Sequence, residues 1–336
     1  MYRLSVWLLL AGGLAEAQGP RIGVIEIYGL RKVKAEAVRK ALGVAEGGPL
    51  PSSKVDTEER IEDVPGIVRA SLTAICCDPE KRAILYVGVE EKGGPRFVFH
   101  TPPVLEIKVP AEVEKEWMNF ITAVDLATKR GGVDEDLTKG HSLITDPGAR
   151  QSQEKFIALA DEHLAVLREV MRKSADEQQR AIAAFVLGYS SKKKAVADDL
   201  QYAMQDSDAT VRNNAMRALS AIGVLAALHP ELDIRISSTW FVEMLNSVHF
   251  TDRSKASIYL VDSTEKREES SLRNIRERAI PALLEMAQWR DLGHALPAFI
   301  LLGRAAGLPE EQIQEMWKKG QRDVLLEKVR ETVGRK

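Results

Sequence analysis

The chain has 336 residues, with 47 Lys and Arg against 49 Asp and Glu, and a formal charge of −2. Its hydrophobic fraction of 45% supports a sizeable core and excludes global disorder, while the balanced charge argues against a nucleic-acid-binding protein, which would usually show a basic surplus. Two cysteines cannot build a disulfide framework or a multi-cysteine zinc site.

The first 17 residues have the pattern of a secretory signal peptide. Arg3 precedes the apolar stretch 4–14, and an A-x-A cleavage site ends at Ala17. The apolar stretch is much shorter than the roughly 20 residues that span a bilayer. We therefore expect cleavage before Gln18, no transmembrane segment in the mature chain, and a periplasmic or secreted location.

Residues 21–92 are predicted to form a small α/β module with the element order β-α-α-β-β. A strand rich in β-branched residues comes first, and two short helices follow it. The segment from Ile67 to Cys76 then alternates apolar and polar residues, as a strand with one buried face does. A partner strand over residues 83–89 shows the same alternation.

This module resembles the polypeptide-transport-associated (POTRA) domain of diderm bacterial envelopes. The resemblance rests on IGVIEIYGL in the first strand, VPGIVRASL leading into the second strand, and LYVGVEE closing the third strand. It covers residues 21–92 and implies a module that binds other proteins in the cell envelope.

The predicted sheet offers a candidate binding edge. Three strands cannot close a barrel, so at least one edge stays unpaired and can template an incoming strand. By its resemblance to the family, the second strand is expected to be this edge, with the polar residues Arg69, Ser71 and Thr73 pointing outward. The alternative is that the connector near Pro102-Pro103 folds back and covers it.

Two adjacent cysteines end the second predicted strand. In an oxidising compartment, adjacent thiols can form a vicinal disulfide. Neighbouring side chains of a strand point to opposite faces, however. We therefore expect Cys76 to be buried as a small apolar residue and Cys77 to point outward, without a redox role.

The rest of the chain is predicted to be helical. Residues 93–110, which are rich in Gly and Pro, are predicted to be a linker. From Ala111 onward, apolar residues recur at helical spacing, so residues 111–336 are predicted to be all-α. One long predicted helix places His163 on its apolar face, where a core or interface histidine is expected rather than a metal ligand.

Internal repetition is clearest over residues 174–222. SADEQQRAIAAFVLGY and DSDATVRNNAMRALSA align with a spacing of 32 residues, so that Asp176 matches Asp208 and Arg180 matches Arg212. KKAVADDLQYAMQ supplies an antiparallel partner helix between them. The pattern resembles HEAT repeats, especially the short units of phycobilin-lyase-like HEAT proteins. The resemblance implies two-helix units that stack into a solenoid.

Few residues suggest chemistry. Lys139-Gly140-His141-Ser142 follows the acidic run 134–136, which allows a Ser/His/Asp arrangement to be considered. Adjacent loop residues rarely hold the geometry of a triad, and the sequence has no G-x-S-x-G elbow. The other histidines lack partners at zinc spacing such as H-E-x-x-H. We therefore expect no catalytic residue, cofactor or metal.

The sequence favours a multidomain, exported, non-enzymatic scaffold of the bacterial envelope, with proteins as partners. Two alternatives stay open: an enzyme or chromophore-lyase-like protein built on the HEAT scaffold, and a subunit of an envelope transport assembly. A concave groove with converging His, Asp or Glu side chains would favour the enzyme.

Overall fold

The computed structural model describes residues 20–131 and 134–333, and only the backbone of the last two of these. The predicted signal peptide and its cleavage site at Ala17 lie outside the described residues. The described chain forms two compact units. Among the described residues, one unit is Val98–Ser237, and the other joins residues 20–97 to residues 238–333. The domain boundaries expected from the sequence stay a prediction.

The N-terminal part of the second unit has the predicted order β-α-α-β-β. Its elements are β1 (Ile22–Tyr28), α1 (Ala35–Leu42), α2 (Lys54–Glu62), β2 (Ile67–Ile75) and β3 (Ala83–Glu91). The sheet order is β1-β3-β2, with β1 parallel and β2 antiparallel to the central strand β3. The side chains of Val38, Leu42 and Ile61 bring α1 and α2 onto one face of this sheet. Because β3 lies between the other two strands, β2 is at an edge of the sheet.

The C-terminal part of the same unit is helical. Its helices are α9 (Ser238–Met244), α10 (Phe250–Ser263), α11 (Glu269–Arg278), α12 (Ile280–Met286), α13 (Leu292–Ala305), α14 (Glu310–Lys318) and α15 (Arg322–Val333). Among the described residues, no helix combines the length and the apolar character that crossing a membrane requires.

The central strand β3 is buried on both faces, because the C-terminal helices cover the face that α1 and α2 leave open. All nine residues of β3 are buried. Tyr86 stacks on Phe250 of α10, with ring centroids 3.8 Å apart. At Gly88, a Cβ atom would collide with the carbonyl oxygen of Val248, so only glycine permits this close approach. The alternation in the sequence predicted only one of these two packed faces.

The other unit is mainly helical. Its helices are α3 (Ala111–Arg130), α4 (Pro147–Glu162), α5 (Leu164–Lys173), α6 (Glu177–Leu187), α7 (Lys193–Ala203) and α8 (Ala209–Leu228), followed by a 3-10 turn (Pro230–Leu232). The long helix predicted around His163 is divided there into α4 and α5, since the ψ angle of His163 is 18° rather than helical. Its imidazole is therefore at a helix junction rather than in the core.

A short β-hairpin interrupts the region predicted to be all-α. The strands β4 (Glu135–Asp136) and β5 (Leu143–Ile144) pair antiparallel. Two residues per strand are too few to show a period-2 pattern in the sequence. The predicted fold class is otherwise confirmed: a small mixed-sheet module precedes a HEAT-like helical repeat region.

The repeat predicted from the sequence is found where α6 and α8 begin, since matching aspartates cap both helices. Asp176 caps α6 by accepting hydrogen bonds from the backbone N–H groups of Gln178 and Gln179. Asp208 caps α8 in the same way. Because an N-cap carboxylate satisfies amides that lack a helical partner, the two aspartates fix where these helices begin.

Candidate functional site

The repeated arginines donate hydrogen bonds to the turns that precede their own helices. Arg180 is 2% exposed, donates through Nη1 to the carbonyl of Ser174 at 2.8 Å, and forms a bidentate pair with Asp206 at 2.8 and 2.9 Å. Arg212, which is fully buried, donates through Nη1 to the carbonyls of Asp206 and Ser207. Both arginines therefore bond to carbonyls five and six residues upstream, as expected for a structural repeat.

The outward residues of the predicted binding edge have three different environments. Arg69 is exposed and Thr73 is half-buried. Ser71 is only 2% exposed, and its Oγ lies 2.9 Å from Nδ1 of His249. The expectation that Ser71 points to solvent is therefore wrong, because the start of α10 packs on that face of the sheet.

The edge of β2 is capped by side chains of α2. The backbone N–H of Ala70 donates to Glu62 Oε1 at 2.9 Å, and that of Leu72 donates to Glu58 Oε1 at 2.6 Å. An incoming strand would place carbonyl oxygens where these two carboxylates lie. Strand addition at this edge would therefore require both carboxylates to move away from the β2 amides that they accept from.

Removing the two caps should open this edge. In a Glu58→Ala/Glu62→Ala double variant, two edge amides lose their partners, at a cost of about 1 kcal/mol each in the free energy of unfolding. Since unpaired edges template association, we also expect concentration-dependent self-association. Analytical ultracentrifugation would measure it, with the exposed Glu59 replaced by alanine as the control. A double variant with wild-type stability and sedimentation would show that the caps do not matter.

The two cysteines also differ from expectation. Cys76 and Cys77 are joined as a disulfide across a cis peptide bond. Cys76 is exposed and Cys77 is half-buried, the reverse of the predicted arrangement. The reason is that β2 ends at Ile75, so the alternation of strand side chains does not extend to the pair.

The hairpin β4–β5 carries the histidine and serine that the sequence singled out. The hydroxyl of Ser142 donates to the Glu135 carboxylate and accepts from Nη2 of Arg217 at 3.1 Å. The imidazole of His141 has a different neighbour, since its Nδ1 lies 3.3 Å from Nζ of Lys193. The described contacts of Ser142 are thus to Glu135 and Arg217 rather than to the imidazole that a triad would need.

Burial perturbs three basic groups around this hairpin. It lowers the pKa of Lys193 to about 7 and, together with the nearby Lys193, lowers the pKa of His141 to about 4. Burial also lowers the pKa of Arg217 to about 10, which leaves this guanidinium charged at neutral pH. Clusters of perturbed pKa values in a cleft are typical of functional sites, although structural clusters also produce them.

These groups border a small pocket, which we call the hairpin pocket. It encloses about 10 Å³, which is about the space that one water molecule needs. The lining residues are His141, Ser142, Phe185, Gly188, Tyr189, Asn214, Arg217 and Ala218. The sequence did not indicate this pocket, because its residues come from the hairpin and from helices far along the chain.

The lowered pKa of Lys193 predicts a specific pH dependence of stability. The folded state releases this proton near pH 7, whereas the unfolded chain holds it up to about pH 10.5. Between these values the unfolded state binds more protons, so stability should rise with pH. In Lys193→Met this contribution is lost, and the gain in stability from pH 7 to pH 9 should be smaller by about 2 kcal/mol.

Chemical denaturation at both pH values would measure this difference. The matched control is Lys194→Met, because Lys194 is exposed and pairs with Asp233 at the surface. We expect the control to keep the pH dependence of the wild type. Equal pH dependence in the wild type and Lys193→Met would contradict the assignment.

A second group of side chains could hold a metal ion. Ligand atoms of Glu112, Glu162 and His163 all lie within 4.8 Å of one another. His163 Nε2 is 2.6 Å from Oε1 of Glu112. Both glutamates are exposed, so solvent competes for the site. The sequence missed this group because Glu112 lies far along the chain from the other two residues.

A profile of HEAT repeats matches residues 164–232. The matched segment contains α5, α6, α7 and α8, including the capping aspartates and the repeated arginines. A search of the curated proteins finds no matching sequence. HEAT repeats are helical scaffolds for protein interaction, because stacked helix pairs present an extended surface.

Proposed function

We propose that this protein is a non-enzymatic scaffold that binds other proteins in the bacterial cell envelope after export. The observation that carries the proposal is the HEAT-repeat match over residues 164–232, together with the repeated aspartate caps and buried arginines that support it. These side chains are used to hold helices together, which is what a rigid binding surface requires.

The surface available for a partner lies on α5 and α7. The helix α6 is buried along almost its whole length, whereas α5 and α7 expose side chains at helical spacing. On α5 the exposed residues include Val166, which is 43% exposed, and Glu169. On α7 they are Lys194, Ala195, Asp198 and Tyr202. We name these exposed residues the α5–α7 face.

The mixed composition of this face suits a protein partner. Val166 and Tyr202 provide apolar contact area, and Glu169, Lys194 and Asp198 are exposed charged residues of the same two helices. Protein interfaces usually combine an apolar centre with a polar rim. The N-terminal module adds support for an envelope role, since its β-α-α-β-β order is the one that its resemblance to POTRA domains implies.

Purification from the native envelope would test the proposal. The tagged mature protein should co-elute with a partner at fixed stoichiometry from a detergent-treated envelope fraction. We expect that partner to be lost when Val166 and Tyr202 are both replaced by aspartate, and to be retained with Lys115→Asp, an exposed position on α3 outside the matched repeats. Retention of the partner by the Val166/Tyr202 variant would contradict the assigned face.

Export makes a separate prediction about processing. If the first 17 residues are a signal peptide, the mature protein should begin at Gln18. N-terminal sequencing of protein released by osmotic shock would check this. Periplasmic material that still begins at Met1, or protein found entirely in the cytoplasmic fraction, would contradict the proposed location.

A further inference from the structure

The start of α3 and the junction of α4 and α5 bring three metal-ligating side chains together. Glu112 is in the first turn of α3, Glu162 is the last residue of α4, and His163 separates α4 from α5. Ligand atoms of all three lie within 4.8 Å of one another, and His163 Nε2 is 2.6 Å from Glu112 Oε1. We call these three residues the junction site.

The two carboxylates of the junction site carry negative charge that the neighbouring side chains do not offset. Among the described residues, no lysine or arginine forms an ion pair with Glu112 or Glu162. Glu162 also lies at the C-terminal end of α4, whose last turn contains no basic residue. Since the carbonyl groups at a helix C-terminus repel a carboxylate, this position favours a cation. A protonated His163 would offset one of the two negative charges, whereas a divalent cation would offset both.

The nitrogen ligand indicates the class of metal. Mg²⁺ and Ca²⁺ take oxygen ligands, whereas Zn²⁺ accepts both imidazole nitrogen and carboxylate oxygen. A zinc ion with three protein ligands keeps its fourth position for water. Glu112 and His163 come from different helices, so an ion bound here would connect the first turn of α3 to the α4–α5 junction.

The distances within the junction site are compatible with this coordination after a small adjustment. Bond lengths of about 2.0–2.2 Å place the ligand atoms of a tetrahedral zinc ion about 3.3–3.6 Å apart. Glu112 and His163 would separate from their hydrogen-bond distance, and the longer distances would shorten by no more than about 1.5 Å. Both glutamates are exposed, so their side chains can move by this amount without displacing buried neighbours.

We propose that Glu112, Glu162 and His163 bind one Zn²⁺ ion, with water as the fourth ligand. The role of this ion is structural, because it fastens the start of α3 to the end of α4 within one helical unit. The site is separate from the residues that form the repeat, so it does not depend on the protein-binding role proposed above.

Calorimetric titration with ZnCl₂ would test this proposal, on protein purified without a histidine tag, stripped with EDTA and dialysed free of the chelator. We expect one ion per chain with a micromolar dissociation constant, and no saturable binding of Mg²⁺ at the same concentrations. Glu112→Gln and His163→Gln each remove one ligand and should weaken Zn²⁺ binding at least about tenfold.

The matched control is His229→Gln. His229 also pairs with an exposed glutamate, Glu231, and the described part of the chain places no third ligand beside that pair. Zinc binding by this variant should equal that of the wild type.

Two further measurements complete the test. Zn²⁺ should raise the thermal midpoint of the wild type and leave that of Glu112→Gln unchanged, since an ion that binds only the folded state stabilises it. Nitrogen-15 NMR of the wild type should show a Zn²⁺-dependent shift of a His163 ring nitrogen, and this result does not depend on any variant folding. Absence of stoichiometric Zn²⁺ binding, equal binding by a folded His163→Gln variant, or Mg²⁺ binding as tight as that of Zn²⁺ would overturn the proposal.

Discussion

Replacing Ala215 with aspartate should lower the free energy of unfolding by roughly 3–5 kcal/mol. Ala215 is fully buried on α8, the helix that packs against α6 within the repeat. A carboxylate there would lose its hydration without gaining a partner, so the folded state would have to carry either a buried charge or a shifted pKa. The thermal midpoint should fall by on the order of 10 °C.

The same substitution at the start of the helix provides the control. Ala209 is the first residue of α8 and is half-buried, and an acidic side chain near a helix N-terminus interacts favourably with the helix dipole. Ala209→Asp should therefore change stability by less than about 0.5 kcal/mol. A midpoint for Ala215→Asp within a degree or two of the wild type would show that the repeat register is wrong.

Replacing Arg180 with methionine is expected to have a comparably large effect, about 3–5 kcal/mol. The substitution leaves Asp206, which is 7% exposed, as a buried carboxylate without its bidentate partner. It also removes the donor to the carbonyls of Ser174 and Ala175. Urea denaturation of the variant and the wild type would measure the difference.

A second substitution distinguishes the destabilisation caused by the unpaired Asp206 charge from that caused by the lost packing of Arg180. In Arg180→Met/Asp206→Asn the remaining side chain is neutral, so the double variant should regain part of the lost stability. The amide oxygen of the introduced asparagine can still accept from the backbone N–H of Asp208, as the Asp206 carboxylate does at 2.8 Å. A double variant less stable than Arg180→Met would contradict the view that the unpaired charge dominates.

The sequence predicted the features that depend on local spacing. The 32-residue spacing matched Asp176 with Asp208 and Arg180 with Arg212, and the β-α-α-β-β order follows from changes in the apolar period. The spacing did not show that the aspartates cap helices or that the arginines are buried. Contacts between distant segments have no such signature. Ser71 contacts His249, and His141 contacts Lys193, because the fold brings together segments that are far apart in the sequence.

One contact between distant segments, the packing of the C-terminal helices on β3, did have a signal in the sequence. The segment AILYVGV, residues 83–89 of β3, has apolar or small residues at consecutive positions rather than at alternate ones. Such a run is typical of a strand that is covered on both faces. Reading it this way would have predicted a second packed layer over Tyr86 and Gly88, although not that the C-terminal helices supply it.

Site-specific photocrosslinking in the native envelope tests the central claim most directly, namely that the HEAT-like region is a surface for a protein partner. A benzophenone side chain would replace Glu169 on α5 or Asp198 on α7, both exposed, and Lys115 on α3 would serve as the control position. The proposed scaffold predicts one adduct of defined mass from the α5 and α7 positions and none from the control. Absence of an adduct at both helices, or the same adducts at Lys115, would contradict the claim.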